Sequence, residues 1–228
     1  MKAVKMSDRE LSNSLNEIRI LASLSNPYIV GYKEAFYDSN LKSFCLVTEF
    51  ADGGDLSSRI NAAKKSKTNI PESYIWKSTL QLLFGIRALH NMKIFHRDIK
   101  PANILLSKAE DCAKLADMNV SVISKTGMAS TQTGTPAYAS PEVWMEKPYS
   151  GKSDIWSLGC LIYEMATLKP PFMAGDLQGL KKCIIGSEYD PIPSSYSKEL
   201  QALVKMCLEK DQKVRPSAQE ILNLSQIK

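Results

Sequence analysis

The segment of this sequence best suited to chemistry is His-Arg-Asp-Ile-Lys-Pro-Ala-Asn, at residues 96–103. It places a carboxylate (Asp98), an ammonium group (Lys100) and an amide (Asn103) in one short stretch. In phosphoryl transfer, a carboxylate can take the proton of an attacking hydroxyl and a cation can neutralise the moving phosphate. An amide oxygen is a hard ligand that suits Mg²⁺. A bare His-Arg-Asp would be uninformative, but the whole octet indicates phosphoryl-transfer chemistry.

Composition sets the class of protein. The chain has 228 residues, of which 44% are hydrophobic, and this is enough for a buried core in one domain of one or two lobes. The net charge is +5, with acidic and basic residues interspersed, so no nucleic-acid or membrane patch is expected. The five scattered cysteines lack metal-ligand spacing and favour a reducing compartment. Neither a transmembrane run nor a signal-peptide pattern occurs.

The first part of the chain predicts a helix followed by strands. Residues 7–24 combine a capping box with apolar residues at helical spacing. Residues 29–30 and 44–47 are typical of strands, and a polar turn at 38–40 separates them. The Asp-Gly-Gly-Asp segment at 52–55 breaks this pattern and could join two lobes.

The rest of the chain is predicted to be mainly helical. A long amphipathic helix has one apolar face, formed by Ile75, Thr79, Leu82, Ile86 and Leu89. The segment from Ile155 to Ala166 is apolar nearly all round, which predicts a fully buried helix. Residues 124–135 predict a loop, and residues 197–224 have helical spacing. The expected result is a small strand-rich part followed by a larger helical part.

Further motifs accompany the octet in order along the chain. They are Ala3-Val4-Lys5, Glu17, residues 49–56, Asp117-Met118-Asn119, Gly134-Thr135-Pro136, Ser140-Pro141-Glu142, residues 154–159 and Arg215. On these residues the chain resembles the catalytic domain of eukaryotic serine/threonine protein kinases. It most resembles the NIMA-related (Nek) kinases, in residues 53–56, 131–136, 152–160 and 167–169. The resemblance implies an α+β, bilobal fold with a small β-rich N-lobe and a larger, mainly helical C-lobe. It implies a partial N-lobe at 1–50, a hinge region at 51–56 and a C-lobe at 57–228.

The resemblance implies a catalytic role for four residues. Asp98 would be the base, and Lys100 would neutralise the transferring phosphate. Lys5 would grip the ATP phosphates and pair with Glu17. The plainer interpretation of these charges is a solvated surface, or in the case of Asp98 a turn cap, and the surrounding match disfavours it.

The resemblance also implies ATP and Mg²⁺ as cofactors. Asn103 and Asp117 would hold the metal. The residues expected around the nucleotide are Ala3, Lys5, Thr48, Glu49, Phe50, Ala51, Asp55 and Leu105. Asp117-Met118-Asn119 departs from the usual Asp-Phe-Gly of the family, but methionine can fill an apolar slot and asparagine tolerates a left-handed backbone.

Regulatory and structural residues follow from the same resemblance. Arg97 would pair with a phosphate on the activation loop, most directly at Thr131, with Ser130 and Thr133 as neighbouring substitutes. Thr135 would contact the catalytic loop. Asp154 is expected to anchor that loop rather than to do chemistry. A buried ion pair is expected between two further residues, Glu142 and Arg215.

The partners and location implied are those of the family. Protein substrates are expected, together with an activating kinase or autophosphorylation in trans. Neither nucleic-acid binding nor membrane insertion is expected. The expected location is the cytoplasm, at the centrosome or cilium by analogy with Nek kinases.

The sequence lacks one motif of that family. No Gly-x-Gly occurs in the chain, so the expectation is an N-terminally truncated domain without its first strands and phosphate-covering loop. Two interpretations remain open. One is an active serine/threonine kinase of which this is a fragment, and the other is a catalytically weak, kinase-like binding module.

Overall fold

A computed structural model describes residues 2–4, 22, 24–38, 40, 43–108, 111–117 and 136–225. Its first part is an antiparallel sheet of β1 (Lys2–Val4), β2 (Tyr32–Asp38) and β3 (Ser43–Thr48), in the order β1-β3-β2. Ala3 lies opposite Cys45, and Cys45 in turn lies opposite Phe36. The buried Cys45 therefore marks the centre of this small sheet.

The prediction for residues 29–30 is wrong, whereas the strand predicted at 44–47 is confirmed within β3. Ile29 forms only an isolated parallel bridge to Leu115, and the Val30 amide donates to the Leu115 carbonyl at 2.9 Å. Ile29 is buried in the core of the larger part, which explains why it leaves the small sheet. On the side opposite β1, the neighbour of β3 is β2. The burial pattern of β2 does not alternate cleanly, so its sequence lacks the alternation that predicts a strand.

The predicted turn at 38–40 is present, since the Asn40 amide donates to the Asp38 carboxylate at 2.9 Å. The helix predicted at 7–24 lies outside the described residues except for Ala22, which is helical, and Leu24. The loop predicted at 124–135 lies wholly outside them.

The larger part contains seven α-helices among the described residues. In chain order they are α1 (Leu56–Ser66), α2 (Glu72–Asn91), α3 (Pro141–Trp144), α4 (Gly151–Thr167), α5 (Leu177–Gly186), α6 (Lys198–Cys207) and α7 (Ala218–Leu222). A two-stranded antiparallel sheet of β4 (Ile104–Ser107) and β5 (Cys112–Leu115) lies between α2 and α3 in the chain. The α+β architecture, with a small sheet and a mainly helical lobe, is the one expected.

Helices α2 and α4 form the centre of the core. The predicted face of α2 is fully buried along its length, and every residue of α4 from Ser153 to Tyr163 is buried. Ser150 and Ser153 form a capping box that begins α4. The buried helix predicted from composition is therefore confirmed. No helix in the described part of the chain is both long and apolar enough to cross a membrane.

Candidate active site

The loop that carries the octet is tied to α4 by one carboxylate. Asp154, in the first turn of α4, is completely buried. Its Oδ2 accepts a hydrogen bond from the His96 amide at 3.0 Å, and its Oδ1 accepts one from the Arg97 amide at 3.0 Å. Because these two hydrogen bonds hold the backbone at the start of the loop, they fix the position and direction of the chain just before Asp98.

Two side chains complete the surroundings of Asp154. His90 Nε2 lies 2.8 Å from Oδ2, and the Tyr149 hydroxyl donates to Oδ1 at 2.6 Å. Burial alone would raise the pKa of Asp154, but the hydrogen bond and charge of His90 hold that pKa below its ordinary value. The carboxylate is therefore ionised at neutral pH and accepts all four contacts.

Two polar side chains of the octet converge on one oxygen of Asp98. Lys100 Nζ and Asn103 Nδ2 both lie 2.8 Å from Oδ2 of Asp98. Asn103 Nδ2 also donates to the Asp98 carbonyl at 2.8 Å. Across the described residues no hydrogen bond uses Asp98 Oδ1, so this is the oxygen left to receive a hydroxyl proton.

Left-handed backbone occurs at two charged residues of this site. Arg97 has φ of 67° and Asp117 has φ of 54°. Non-glycine residues with positive φ are uncommon and often lie at functional sites, where the surrounding structure holds them. At Arg97 the hold comes from Asp154, and the guanidinium lies 5.6 Å from the centre of the Tyr149 ring.

The expected metal ligands lie on adjoining backbone segments. The Ala116 amide donates to the Asn103 carbonyl at 2.9 Å, so Asp117 follows directly after a residue bonded to Asn103. Both protons of the Asn103 amide are directed at Asp98, which leaves its Oδ1 as a ligand atom. The Asp117 residue is exposed. One carboxylate and one amide oxygen fit Mg²⁺ that keeps several other oxygen ligands from water or phosphate.

In the segment after β3, two backbone groups are available to bind a ligand. The Glu49 amide donates to the Gly31 carbonyl at 2.8 Å, but the Glu49 carbonyl and the Ala51 amide make no hydrogen bond within the described part of the chain. One acceptor and one donor, two residues apart in the chain, suit the edge of a planar heterocycle such as adenine. The Phe50 side chain between them is 90% exposed, so only its backbone faces this edge.

Two glycines let this segment approach β4 closely. The Gly53 amide donates to the Leu106 carbonyl at 2.7 Å, and a Cβ on Gly53 would lie 2.5 Å from that oxygen. Gly54 has φ of +73° and accepts from the Leu106 amide at 2.8 Å. The Asp55 carboxylate caps α1 through the Ser58 amide at 2.7 Å. Leu105, the residue expected below the adenine, is bridged to Asp55.

Glu142 and Arg215 form a buried, two-pronged ion pair. Arg215 Nη1 donates to Glu142 Oε1 at 2.8 Å, and Nη2 donates to Oε2 at 3.1 Å. Burial alone would raise the pKa of Glu142, but the hydrogen bonds and charge of Arg215 lower it below its ordinary value. The pair joins α3 to the segment before α7, away from the octet.

Several expected residues cannot be placed. Lys5, Glu17, Thr131, Thr133 and Thr135 lie outside the described residues. Ala3 is placed only through its backbone, opposite Cys45 in β3. Thr48, the last residue of β3, is exposed in the structure.

The fold, with a small sheet followed by a larger helical part, is that of a protein kinase domain. A sequence model described as "Protein kinase domain" matches residues 1–226, and the chain therefore belongs to the protein kinase domain family. The resemblance to NIMA-related kinases is also confirmed by similar curated proteins.

Three of these relatives are alike in identity. "Probable serine/threonine-protein kinase nek2" from Dictyostelium discoideum is 38% identical over 96% of this chain and 53% of its own length. "Serine/threonine-protein kinase Nek1" from Mus musculus is 38% identical over 96% of this chain and 18% of its own length. "Serine/threonine-protein kinase Nek6" from Oryza sativa subsp. japonica is 39% identical over 97% of this chain and 41% of its own length. The chain thus spans about half or less of these relatives.

Three residues that contact Asp154 or Glu49 were not singled out in the sequence. His90 and Tyr149 both contact Asp154, and nothing local in the sequence indicates those contacts, which join segments far apart in the chain. Lys114 lies in the buried strand β5. The sequence does contain a signal for Lys114, because a lysine between the apolar residues of a Cys-Ala-Lys-Leu strand is rarely buried without a partner.

Proposed function

We propose that this chain is a serine/threonine protein kinase domain, which transfers the γ-phosphate of ATP to Ser and Thr hydroxyls of proteins. The observation that carries the proposal is the convergence of Lys100 and Asn103 on one oxygen of Asp98, with the other oxygen left for substrate. Asp117 stands next to this group through the bond between Ala116 and Asn103.

Each side chain has a distinct part in the transfer. A substrate hydroxyl directed at Asp98 Oδ1 is oriented by that carboxylate, which accepts its proton as the phosphate bond forms. Lys100, which pairs with Oδ2 of Asp98, would neutralise charge that develops on the transferred phosphate. Asp154 holds the loop in place, and this positioning matters because small displacements of reacting groups slow a reaction strongly.

The cofactors are ATP and Mg²⁺. Asn103 and Asp117 would hold the metal, whose charge would neutralise phosphate oxygens. The Glu49 carbonyl and the Ala51 amide would bind the adenine edge, with Leu105 below the ring. Lys5, paired with Glu17, would bind the phosphates, and Ala3, Thr48 and Asp55 would complete the nucleotide site.

The proposal extends to regulation and partners. A phosphate on Thr131, or on its neighbours Ser130 and Thr133, would draw Arg97 towards it by charge-assisted hydrogen bonds. Thr135 would contact the catalytic loop. The phosphate would come from an activating kinase or from a second copy in trans. The substrates would be proteins in the cytoplasm, and neither nucleic acid nor membrane insertion is needed.

The test is a phosphotransfer assay with labelled ATP, Mg²⁺ and a generic Ser/Thr protein substrate. We expect labelled phosphoserine and phosphothreonine that depend on Mg²⁺. The Asp117→Asn variant should lose transfer, because an amide in place of the carboxylate holds the metal weakly. Equal transfer by Asp117→Asn and the wild type would refute the metal assignment.

A second function is favoured by one observation, the absence of Gly-x-Gly from these residues. Without a phosphate-covering loop, the phosphates would be exposed to water and poorly positioned, and the chain would act as a kinase-like binding module. This function predicts nucleotide or protein binding without measurable transfer. Robust turnover by the 228-residue chain would exclude it.

A further inference from the structure

A lysine lies in the interior of this protein, on the strand that leads to Asp117. Lys114 is in the middle of β5, where all four residues are buried, and it is 4% exposed. Removing an ammonium group from water is costly unless an opposite charge and hydrogen bonds replace the solvent. The Lys114 Nζ lies 2.8 Å from Oε1 of Glu49. The two residues thus form an ion pair with Lys114 as its buried member.

This pair joins two sides of the proposed nucleotide site. Glu49 is the first residue after β3, and its carbonyl is one of the two free backbone groups of that segment. Lys114 lies opposite Leu105 in the β4–β5 register, and so belongs to the floor of the site. The ion pair therefore crosses from the segment that would bind the adenine edge to the sheet that would lie beneath the ring.

Backbone hydrogen bonds beside the ion pair also link the Glu49 segment to β5. The Glu49 amide is bound to the Gly31 carbonyl, and the neighbouring Val30 amide is bound to the Leu115 carbonyl. A Cβ on Gly31 would lie 3.3 Å from Glu49 Oε2, so the carboxylate packs closely against this backbone. The position of Glu49 is therefore determined by its own backbone bond, by packing on Gly31 and by the charge of Lys114.

We propose that the Lys114–Glu49 ion pair is a positioning device for nucleotide binding, which fixes the Glu49 carbonyl relative to the β4–β5 floor. The pair does not touch the reacting atoms. It acts by holding an acceptor at the spacing that a planar ring needs, so its loss weakens nucleotide binding and leaves the transfer step itself intact. The proposal rests on the proposed function for the identity of the ligand.

The experiment measures ADP binding by calorimetry, which does not depend on turnover. The variants are Lys114→Met, Glu49→Gln and the double variant. We expect each single change to weaken ADP binding about tenfold and the double change to weaken it no further, because both singles remove the same interaction. Lys77→Met is the matched control, since Lys77 on α2 forms a solvent-exposed ion pair with Asp111 and its loss should leave binding unchanged.

Further readouts separate positioning from general stability. Glu49→Gln keeps the size of the side chain and the fold, so it remains informative even if Lys114→Met does not fold. The apparent KM for ATP should rise in step with the ADP dissociation constant, while kcat at saturating ATP stays within about twofold of wild type. Unchanged ADP affinity in folded Glu49→Gln, or additive losses in the double variant, would overturn the proposal.

The two proposals fail in different ways. If the wild type binds ADP but transfers no phosphate, the kinase proposal fails and the positioning role is still decided by the ADP series. If the wild type binds no ADP, both are overturned.

Discussion

The replacement of Asp154 by asparagine is the sharpest perturbation of the proposed catalytic loop. Four donors surround the two carboxylate oxygens: the amides of His96 and Arg97, the Tyr149 hydroxyl and the His90 ring. Asparagine offers one oxygen and one NH₂ group. The hydroxyl and the ring can rotate or change tautomer to accept a proton, but a backbone amide cannot. Either orientation of the new amide therefore places NH₂ against one backbone N–H.

The magnitude follows from these contacts. One hydrogen bond to a charged acceptor is lost, which costs about 1.5–3 kcal/mol, and one buried amide is left unsatisfied, which costs about 1–3 kcal/mol. Since the same atoms are involved, the two costs overlap, and we expect Asp154→Asn to lower the free energy of unfolding by about 3–4 kcal/mol. The strain falls on the residues just before Asp98, so kcat should fall about 100-fold as the base is displaced.

The assays are urea unfolding and phosphotransfer at saturating ATP. Asp111→Asn is the matched control, because its side chain is 81% exposed and pairs only with a surface lysine in the described structure. That control should change the free energy of unfolding by no more than about 1 kcal/mol. If Asp154→Asn behaves like Asp111→Asn in both assays, the anchoring role derived for Asp154 is wrong.

Two further predictions concern the hinge and the buried ion pair. Gly53→Ala should weaken ATP binding about tenfold and lower Tm, because the new Cβ would lie 2.5 Å from the Leu106 carbonyl oxygen and displace the hinge. ATP titration measures the affinity, and thermal unfolding measures Tm. An affinity and a Tm equal to those of the wild type would contradict the packing argument. Arg215 lowers the pKa of Glu142 against the effect of burial, so the stabilisation is complete above the ordinary value of 4.5 and is lost as pH falls through the lower folded pKa. In urea unfolding, the free energy of unfolding of the wild type should exceed that of Glu142→Gln by a constant amount from pH 7 to 5, and this difference should shrink below pH 4.5. A difference that grows as the pH falls would contradict the pKa direction given for Glu142.

Some elements could be predicted because their signal is local. The apolar residues of α4 must be buried whatever surrounds them. The glycine pair at 53–54 interrupts regular secondary structure in any context. The side chains of the octet are close in sequence, so the grouping of Asp98, Lys100 and Asn103 could be expected from their spacing. These features follow from short-range chemistry.

Other elements depend on partners far along the chain. Ile29 was expected in the small sheet, but its apolar side chain is buried in the larger core, where it bridges β5. The link from Tyr149 through Asp154 to Arg97 requires α4 to lie against the catalytic loop. The Lys114–Glu49 pair joins β5 to the segment that follows β3. Such contacts are set by packing, which a single sequence does not display.

The proposed kinase function depends most directly on Asp98 as the base, and the measurement that tests it compares phosphotransfer by wild type and Asp98→Asn. The substitution keeps the shape of the side chain and removes its capacity to accept a proton. We predict Mg²⁺-dependent transfer by the wild type, a loss of about 100-fold or more in kcat for the variant, and ADP affinity within about twofold. Transfer at the wild-type rate by Asp98→Asn would contradict the account, and so would the absence of transfer from the wild type.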